Sequence, residues 1–303
     1  PYGKGSDLFK ALMLLEVSEP SLSKATLKVG KLVQEQEAKR QKNSLNEAYL
    51  LQTKRENRAP LRLYGTIDAA KVQIREEEGH QWRDLKLGAW FTARGKPPNN
   101  PDGAWKIQAE QIHYYADIAP AKLFGELLWS SGVAHLAHLA QELIFLGDGA
   151  DWIWNLVARH FPKALQILDW FHASEHLMPV AQAAFSTTDE QFVWVSMMKQ
   201  LMWDGETDLL IAQCRQLAAN SDAKVIGTTA AYFENHKERM RYDYFRSQGY
   251  QIGSGTIESA AKQIGLMRMK VPGASWNFEN ARKVAKARAA YLSDGWQSLP
   301  LAV

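Results

Sequence analysis

The 303-residue sequence predicts an α/β fold on a mixed sheet, three antiparallel strands followed by two parallel ones, with a helical insertion and an N-terminal helical region. Three observations carry that expectation. Residues 61–116 hold three runs of alternating apolar and polar residues separated by turn-forming stretches. Residues 142–184 then read strand, helix, strand, helix, an alternation that requires crossover connections and therefore parallel strands. Residues 186–248 are amphipathic and polar with no strand pattern.

Residues 5–57 read as helical, with Ser6 or Asp7 as a cap, a turn around Pro20, and a second helix capped by Ser21 or Ser23. Two short helices around a turn suit either a helix-turn-helix DNA reader or a hairpin that only packs. "LRLYGTIDAAKVQIRE" (61–76) is the first strand, and its first apolar run ends at Asp68. "WRDLKLGAWFTARG" (82–95) and "GAWKIQAEQIHYYA" (103–116) are the second and third, joined by the turn "GKPPNNPDG". A helix is expected over 119–141. "ELIFLGD" (142–148) follows as a short buried strand, "ADWIWNLVARHF" as a helix, and "ALQILDWFH" (164–172) as a buried strand running into the next helix. After the glycines of "GYQIGSG", a helix begins behind Ser254 or Thr256 with Glu258 in its first turn. The last helix, 275–292, is capped by Ser275. This order of elements is that of a ribonuclease H-like sheet. It divides the chain into an N-terminal helical region (1–58), the first part of the core (59–185), an insertion (186–248) and the C-terminal helices of the core (249–303).

A content of 46% hydrophobic and 23% charged residues is that of a globular protein with a sizeable core. The lone Cys214 excludes an internal disulfide framework and a cysteine-based zinc site, and fits a reducing compartment. No apolar run is long enough to span a membrane, and no signal peptide is visible. A start at Pro1 rather than Met is expected of a fragment or a trimmed product. The net charge of +3 says little, but its distribution says more. From Glu258 to Arg288, Lys262, Arg268, Lys270, Arg282, Lys283, Lys286 and Arg288 face only Glu258 and Glu279. Such a run binds phosphate backbones through charge and counterion release, or is simply a solvated face.

In the expected topology, the ends of the first and fourth strands lie side by side, so Asp68 and Asp148 converge, and Glu258 on a helix across that end completes a set of three. Taken singly, each acid has an ordinary explanation: a strand end, an Asp-Gly turn, a helix N-terminus. Three carboxylates facing one cleft repel each other unless a cation neutralises them. Oxygen donors select a hard divalent ion, Mg²⁺ or Mn²⁺. Two such ions about 3.5–4 Å apart support in-line phosphoryl transfer. Trp152 and Trp154 read as helix-to-sheet packing. Trp276 reads either as packing or as a stacking surface for an unpaired base. Asp151 reads as an alternative metal ligand or, three residues on and pointing elsewhere, as serving the start of its helix.

"LGDGADWIWNLVARHFPKALQILDWFHASEHL" (146–177) resembles the ISKra family of bacterial insertion-sequence transposases, of the DDE type. "WRDLKLGAWF", "IGSGTIESAAKQIGLMRMKVPGASW" and "KARAAYLSDGWQSL" are similar to the same family, so the resemblance runs from about residue 60 to the end. It implies a ribonuclease H-like fold with Asp68, Asp148 and Glu258 as catalytic and metal-binding acids. It also implies Mg²⁺ (Mn²⁺ as substitute), two ions, and DNA cleavage followed by strand transfer from a freed 3′-hydroxyl. Partners would be double-stranded DNA, as element ends and target, and further copies of the chain assembled on it, in a bacterial cytoplasm and without a membrane. Asp169 and His172, in "DWFH", resemble an Asp-x-x-His pair of several transposase groups that positions DNA or supports the active site. Lys262, Arg268, Lys270, Trp276, Arg282 and Lys283 are the expected DNA contacts. One departure stands out: Ala69 follows Asp68 where the family often has Gly, which makes a turn there less permissive. Two alternatives stay open: a ribonuclease H-like nuclease or resolvase without strand transfer, and a domesticated DNA-binding protein without catalysis.

Overall fold

The structure, a computed structural model, describes residues 4–7, 10, 16–77, 79–96, 106–221, 223–253, 255–267, 269–270 and 275–293. The chain folds as α/β around one mixed sheet. Its strands are β1 (Arg62–Glu76), β2 (Gly79–Lys96), β3 (Lys106–Asp117), β4 (Glu142–Gly147) and β5 (Leu165–Leu168), in the order β3-β2-β1-β4-β5. β1–β2 and β2–β3 are antiparallel, whereas β1–β4 and β4–β5 are parallel. A two-residue strand, β6 (Trp276–Asn277), adds to the far end of β1 at Ile74 and Arg75.

β1 is central because Leu63 to Ile67 form an unbroken buried run, the pattern of a strand covered on both faces. One face packs Trp90, Tyr115 and Phe145 against the helices α3 (Ala121–Ala134) and α4 (Asp151–His160) and against Phe161 behind α4. Trp154 is part of this layer and Trp152 packs against it, as expected of residues that seal a helix to a sheet. The other face packs Val72, Ile74, Leu85, Leu87 and Ala116 against Ile257, Ile264, Ala281 and Ala285 from the C-terminal helices.

The sequence places several boundaries differently. Asp68 does not end β1 but lies within it, still paired with Leu87 of β2. The hairpin carries β1 past the point where its pairing with β4 stops at Thr66–Leu146. Ala69 is therefore an ordinary strand residue, and no turn tests the Ala-for-Gly difference. β5 stops at Leu168, and "DWFH" begins a helix, α5 (Trp170–Glu175), capped by Asp169. Asn277, not Ser275, caps the last helix, while Ser254 lies outside the described residues.

Pro20 breaks nothing. It sits in the first turn of α1 (Glu19–Ser44), where a helix has no use for its missing N–H, and Ser18 is the cap. This 26-residue helix packs along α3 and along α12 (Phe278–Leu292), whereas the following helix, α2 (Glu47–Glu56), has no buried residue. The insertion contains α7 (Thr188–Trp203), opened by a Thr187–Glu190 capping box, then α8 (Thr207–Ala219) and α9 (Lys224–His236). It follows α6 (Leu177–Ala184). Beyond them lies α10 (Tyr242–Ser247). Among the described residues no helix is long and apolar enough to cross a membrane.

Candidate active site

Strand register assembles the site. The parallel ladders pair Thr66 with Leu146 and Gly147 with Leu168. Two residues beyond the first pair, Asp68 stands level with Asp148. One residue beyond the second, Asp148 stands level with Asp169. Continued past their last pairs, the two ladders thus bring Asp68, inside β1, alongside Asp148 and Asp169, which directly follow the last residues of β4 and β5. The Asp169 N–H extends the ladder by donating to the Gly147 carbonyl at 2.8 Å.

What ends the strands here also presents the acids. Gly149 adopts φ +94°, so the chain turns directly after Asp148. Asp148 Oδ1 accepts the Ala150 N–H at 2.9 Å, an Asx turn leading into α4. Asp151 follows as an exposed acid in the first helical turn, suited to the helix dipole. Asp169, fully buried, accepts the His172 N–H at 2.8 Å as the N-cap of α5 and holds His172 Nδ1 at 3.1 Å.

Glu258 comes from the other side of the chain. The segment before it is pinned by Trp170 N–H to the Ile252 carbonyl (2.9 Å) and by Gln251 N–H to the Tyr64 hydroxyl (3.2 Å). Glu258 is exposed on α11 (Gly255–Ala260), whose Ile257 is buried in the second core layer. The helix then widens to a π-helix over Ala261–Leu266, packed on β1. Such widening is rare and is frequent at functional sites.

Among the described residues, Asp169, His172 and Glu258 form a possible ligand group, each offering an atom within 4.8 Å of the others. It is not the expected trio of Asp68, Asp148 and Glu258. Asp68 and Asp148 each turn one carboxylate oxygen back on a neighbouring main-chain N–H, Ala69 at 2.6 Å and Ala150 at 2.9 Å. Both nonetheless share one field. Burial pushes the Asp68 carboxyl above its ordinary pKa, the charges of Asp148 and Glu258 add to that, and His172 and the Ala69 N–H oppose it. The hydrogen bond to Asp169 lifts His172 to about 9 against the pull of burial, and Asp148 reinforces the rise. The acids around it thus favour the protonated form of His172.

The expected DNA contacts divide. Lys262 and Lys270 are exposed, and the Lys270 ammonium lies 5.9 Å from the ring of Trp82, itself an exposed residue. Arg268 lies outside the described residues. Arg282 is half-buried and engaged by a two-pronged pair with Asp117 (2.7 and 3.0 Å) and by Glu279 at 3.2 Å, so its charge is largely taken up by the fold. The main chain of Lys283 carries the α1 contact, where Gly30 meets its carbonyl. Trp276 is half-buried and donates from Nε1 to the Met269 carbonyl at 2.9 Å, which favours packing over stacking.

The sequence reading missed Tyr232. This α9 side chain donates its hydroxyl to the Asp148 carbonyl at 3.0 Å, fills the space over Gly149, and stacks on His176 with ring centres 4.0 Å apart. A lone tyrosine in a helical insertion carries no signal for that role, because the contact spans two distant parts of the chain. A comparison with protein-family models finds no match for this chain, and a comparison with curated proteins finds none either.

Proposed function

We propose that the chain is a metal-dependent phosphoryl-transfer enzyme acting on DNA, a DDE transposase on a ribonuclease H-like core, in keeping with its resemblance to the ISKra family. The observation that supports the reading is the gathering of acids beside the ends of β4 and β5: Asp148 and Asp169 just past those strands next to Asp68, and Glu258, from a later helix, within 4.8 Å of Asp169 and His172. Asp148 and Asp169 also serve a turn and a helix cap, yet carboxylates gathered this closely repel one another, and a bound cation relieves that repulsion.

The donor set fits a hard divalent ion: oxygens dominate, and burial, reinforced by the charges of Asp148 and Glu258, disfavours the charged form of Asp68 where no cation stands beside it. Asp68, Asp148 and Glu258 would hold Mg²⁺ or Mn²⁺, two ions in this reading. When bound, the ions supply charge neutralisation and activation of a nucleophilic oxygen. Asp169 orients His172 through Nδ1, leaving Nε2 to donate to a phosphate oxygen of the bound strand. Exposed Lys262 and Lys270 contribute attraction for the backbone.

The test is incubation with DNA carrying the inverted repeats that flank the chain's own coding sequence. Wild-type protein with Mg²⁺ or Mn²⁺ is expected to cut at the repeat ends and join them to a second DNA. Asp68→Asn, Asp148→Asn and Glu258→Gln are each expected to do neither, with unchanged DNA binding. Cutting without joining selects the nuclease alternative. Binding without metal-dependent cutting selects the non-catalytic one. Mutants that still cut would sink the site.

A further inference from the structure

We infer that Phe171 is a stacking surface for an unpaired base of the DNA strand engaged at the acidic site. The inference rests on the nucleic-acid reading above and specifies the state of the substrate. The three residues after Asp169 point three ways. Trp170 turns inward, edge-on to Trp203 (5.4 Å) and Tyr242 (5.0 Å). His172 turns back to Asp169. Phe171 turns out and is 57% exposed. Single exposed apolar residues are common; the place of this one sets it apart. A Cβ on Gly253 would lie 2.7 Å from Cε2 of the Phe171 ring and 3.9 Å from Oδ2 of Asp169. Ring and carboxylate therefore flank the same glycine, and the chain leads from that glycine into the helix of Glu258. The ring is seated as well as exposed. The glycine admits it, and the bond from Trp170 N–H to the Ile252 carbonyl locks the two backbones together.

A phenyl ring has no charge and no hydrogen-bonding group, so it recognises neither phosphate nor a base edge. It does recognise the π-face of a base, whatever the sequence. Inside a duplex those faces are covered by neighbouring base pairs. A ring beside the carboxylates thus fits a strand whose base at that point is unpaired, and its contribution is independent of salt, unlike that of the lysines.

The experiment compares two DNAs in EDTA with the full-length chain: a blunt 20-base-pair duplex, and the same duplex with a three-nucleotide single-stranded extension carrying 2-aminopurine. Wild type is expected to prefer the extended duplex and to change the 2-aminopurine fluorescence. Phe171→Ala and Phe171→Leu are expected to lose that fluorescence change and to weaken binding of the extended duplex about tenfold. Blunt-duplex binding and the slope of affinity against salt should stay as in wild type. Phe171→Trp should restore both signals. Phe171→Ala and Phe171→Leu proteins that bind the extended duplex like wild type, or lose both duplexes equally, would overturn the inference alone. A wild-type chain that binds neither duplex would overturn the nucleic-acid reading as well.

Discussion

Tyr232 shows how much a single hydroxyl contributes to the placement of a distant acid. Its bond to the Asp148 carbonyl fixes the turn that presents the carboxylate. Tyr232→Phe removes about 1 kcal/mol of hydrogen bonding. Metal-dependent cleavage is expected to fall about tenfold, with little change in Tm; a drop in Tm without loss of rate would refute the positioning role. Gly149→Ala is harsher, since φ +94° strains any side chain and the Tyr232 hydroxyl already fills the space. It should cost about 1–3 kcal/mol in urea unfolding. His135 supplies a pH signature. Burial chiefly, then the charges of His113 and Arg40, lowers its pKa to about 4. The folded chain keeps it neutral, while the unfolded chain protonates it near pH 6.5. Its contribution is fully present above pH 6.5 and is lost as the pH falls towards 4, on the order of 3 kcal/mol. His135→Asn should flatten the acid limb of stability against pH, and parallel curves for the two proteins would refute the assignment. His172 has the opposite sign: raised to about 9, it stabilises fully below pH 6.5 and loses that effect as the pH rises through 9.

At the scale of elements, the notable junction is the one between α1 and α12. Lys286 is 1% exposed, and its ammonium lies 2.5 Å from Glu37 of α1 and 2.9 Å from Asp117 at the end of β3. Arg282 pairs with the same Asp117. A positive stretch that reads as a DNA face is thus partly turned inward, tying the N-terminal helix to the sheet. Breaking a buried pair from one side leaves a charge uncompensated, so Lys286→Met should cost about 3–5 kcal/mol. The double change Lys286→Met with Glu37→Met should recover much of that. Urea unfolding of the two variants decides it: equal losses would mean that the pair itself contributes nothing special. The second element worth noting is α11 with its π-helical continuation, because the β1 contact of that continuation sets where Glu258 stands relative to the aspartates.

For the whole molecule, a cation held by the acids beside the ends of β4 and β5, as proposed, would link metal to stability. A cation bound only by the folded chain stabilises it by about 2.7 kcal/mol at a hundred times its Kd. Mg²⁺ or Mn²⁺ should therefore raise the Tm of the wild type, and the rise should shrink in Asp148→Asn and Glu258→Gln. Without metal, those substitutions relieve repulsion and should leave Tm equal or higher. A wild-type Tm indifferent to both ions would remove the metal from the proposal.

Sequence alone determined the element order and the sheet directions. Alternation marks a strand whatever surrounds it, and a helix between two strands forces them parallel. It also marked Asp68 and Asp148, as acids behind apolar runs, and Glu258, in the first turn of a helix, whereas Asp169 and His172 stood out only through the resemblance of "DWFH" to a family motif. It misplaced the ends: Asp68 looked terminal because its apolar run stops, yet pairing with β2 carries the strand onward. It also split Asp169 and His172 from the acids, whereas the register puts Asp169 beside them and the packing of α11 puts Glu258 within reach of Asp169 and His172. The inward turn of Arg282 and Lys286 and the reach of Tyr232 to Asp148 were decided only by tertiary structure. Those contacts join residues far apart in the chain, and local pattern carries information only about the neighbours along it.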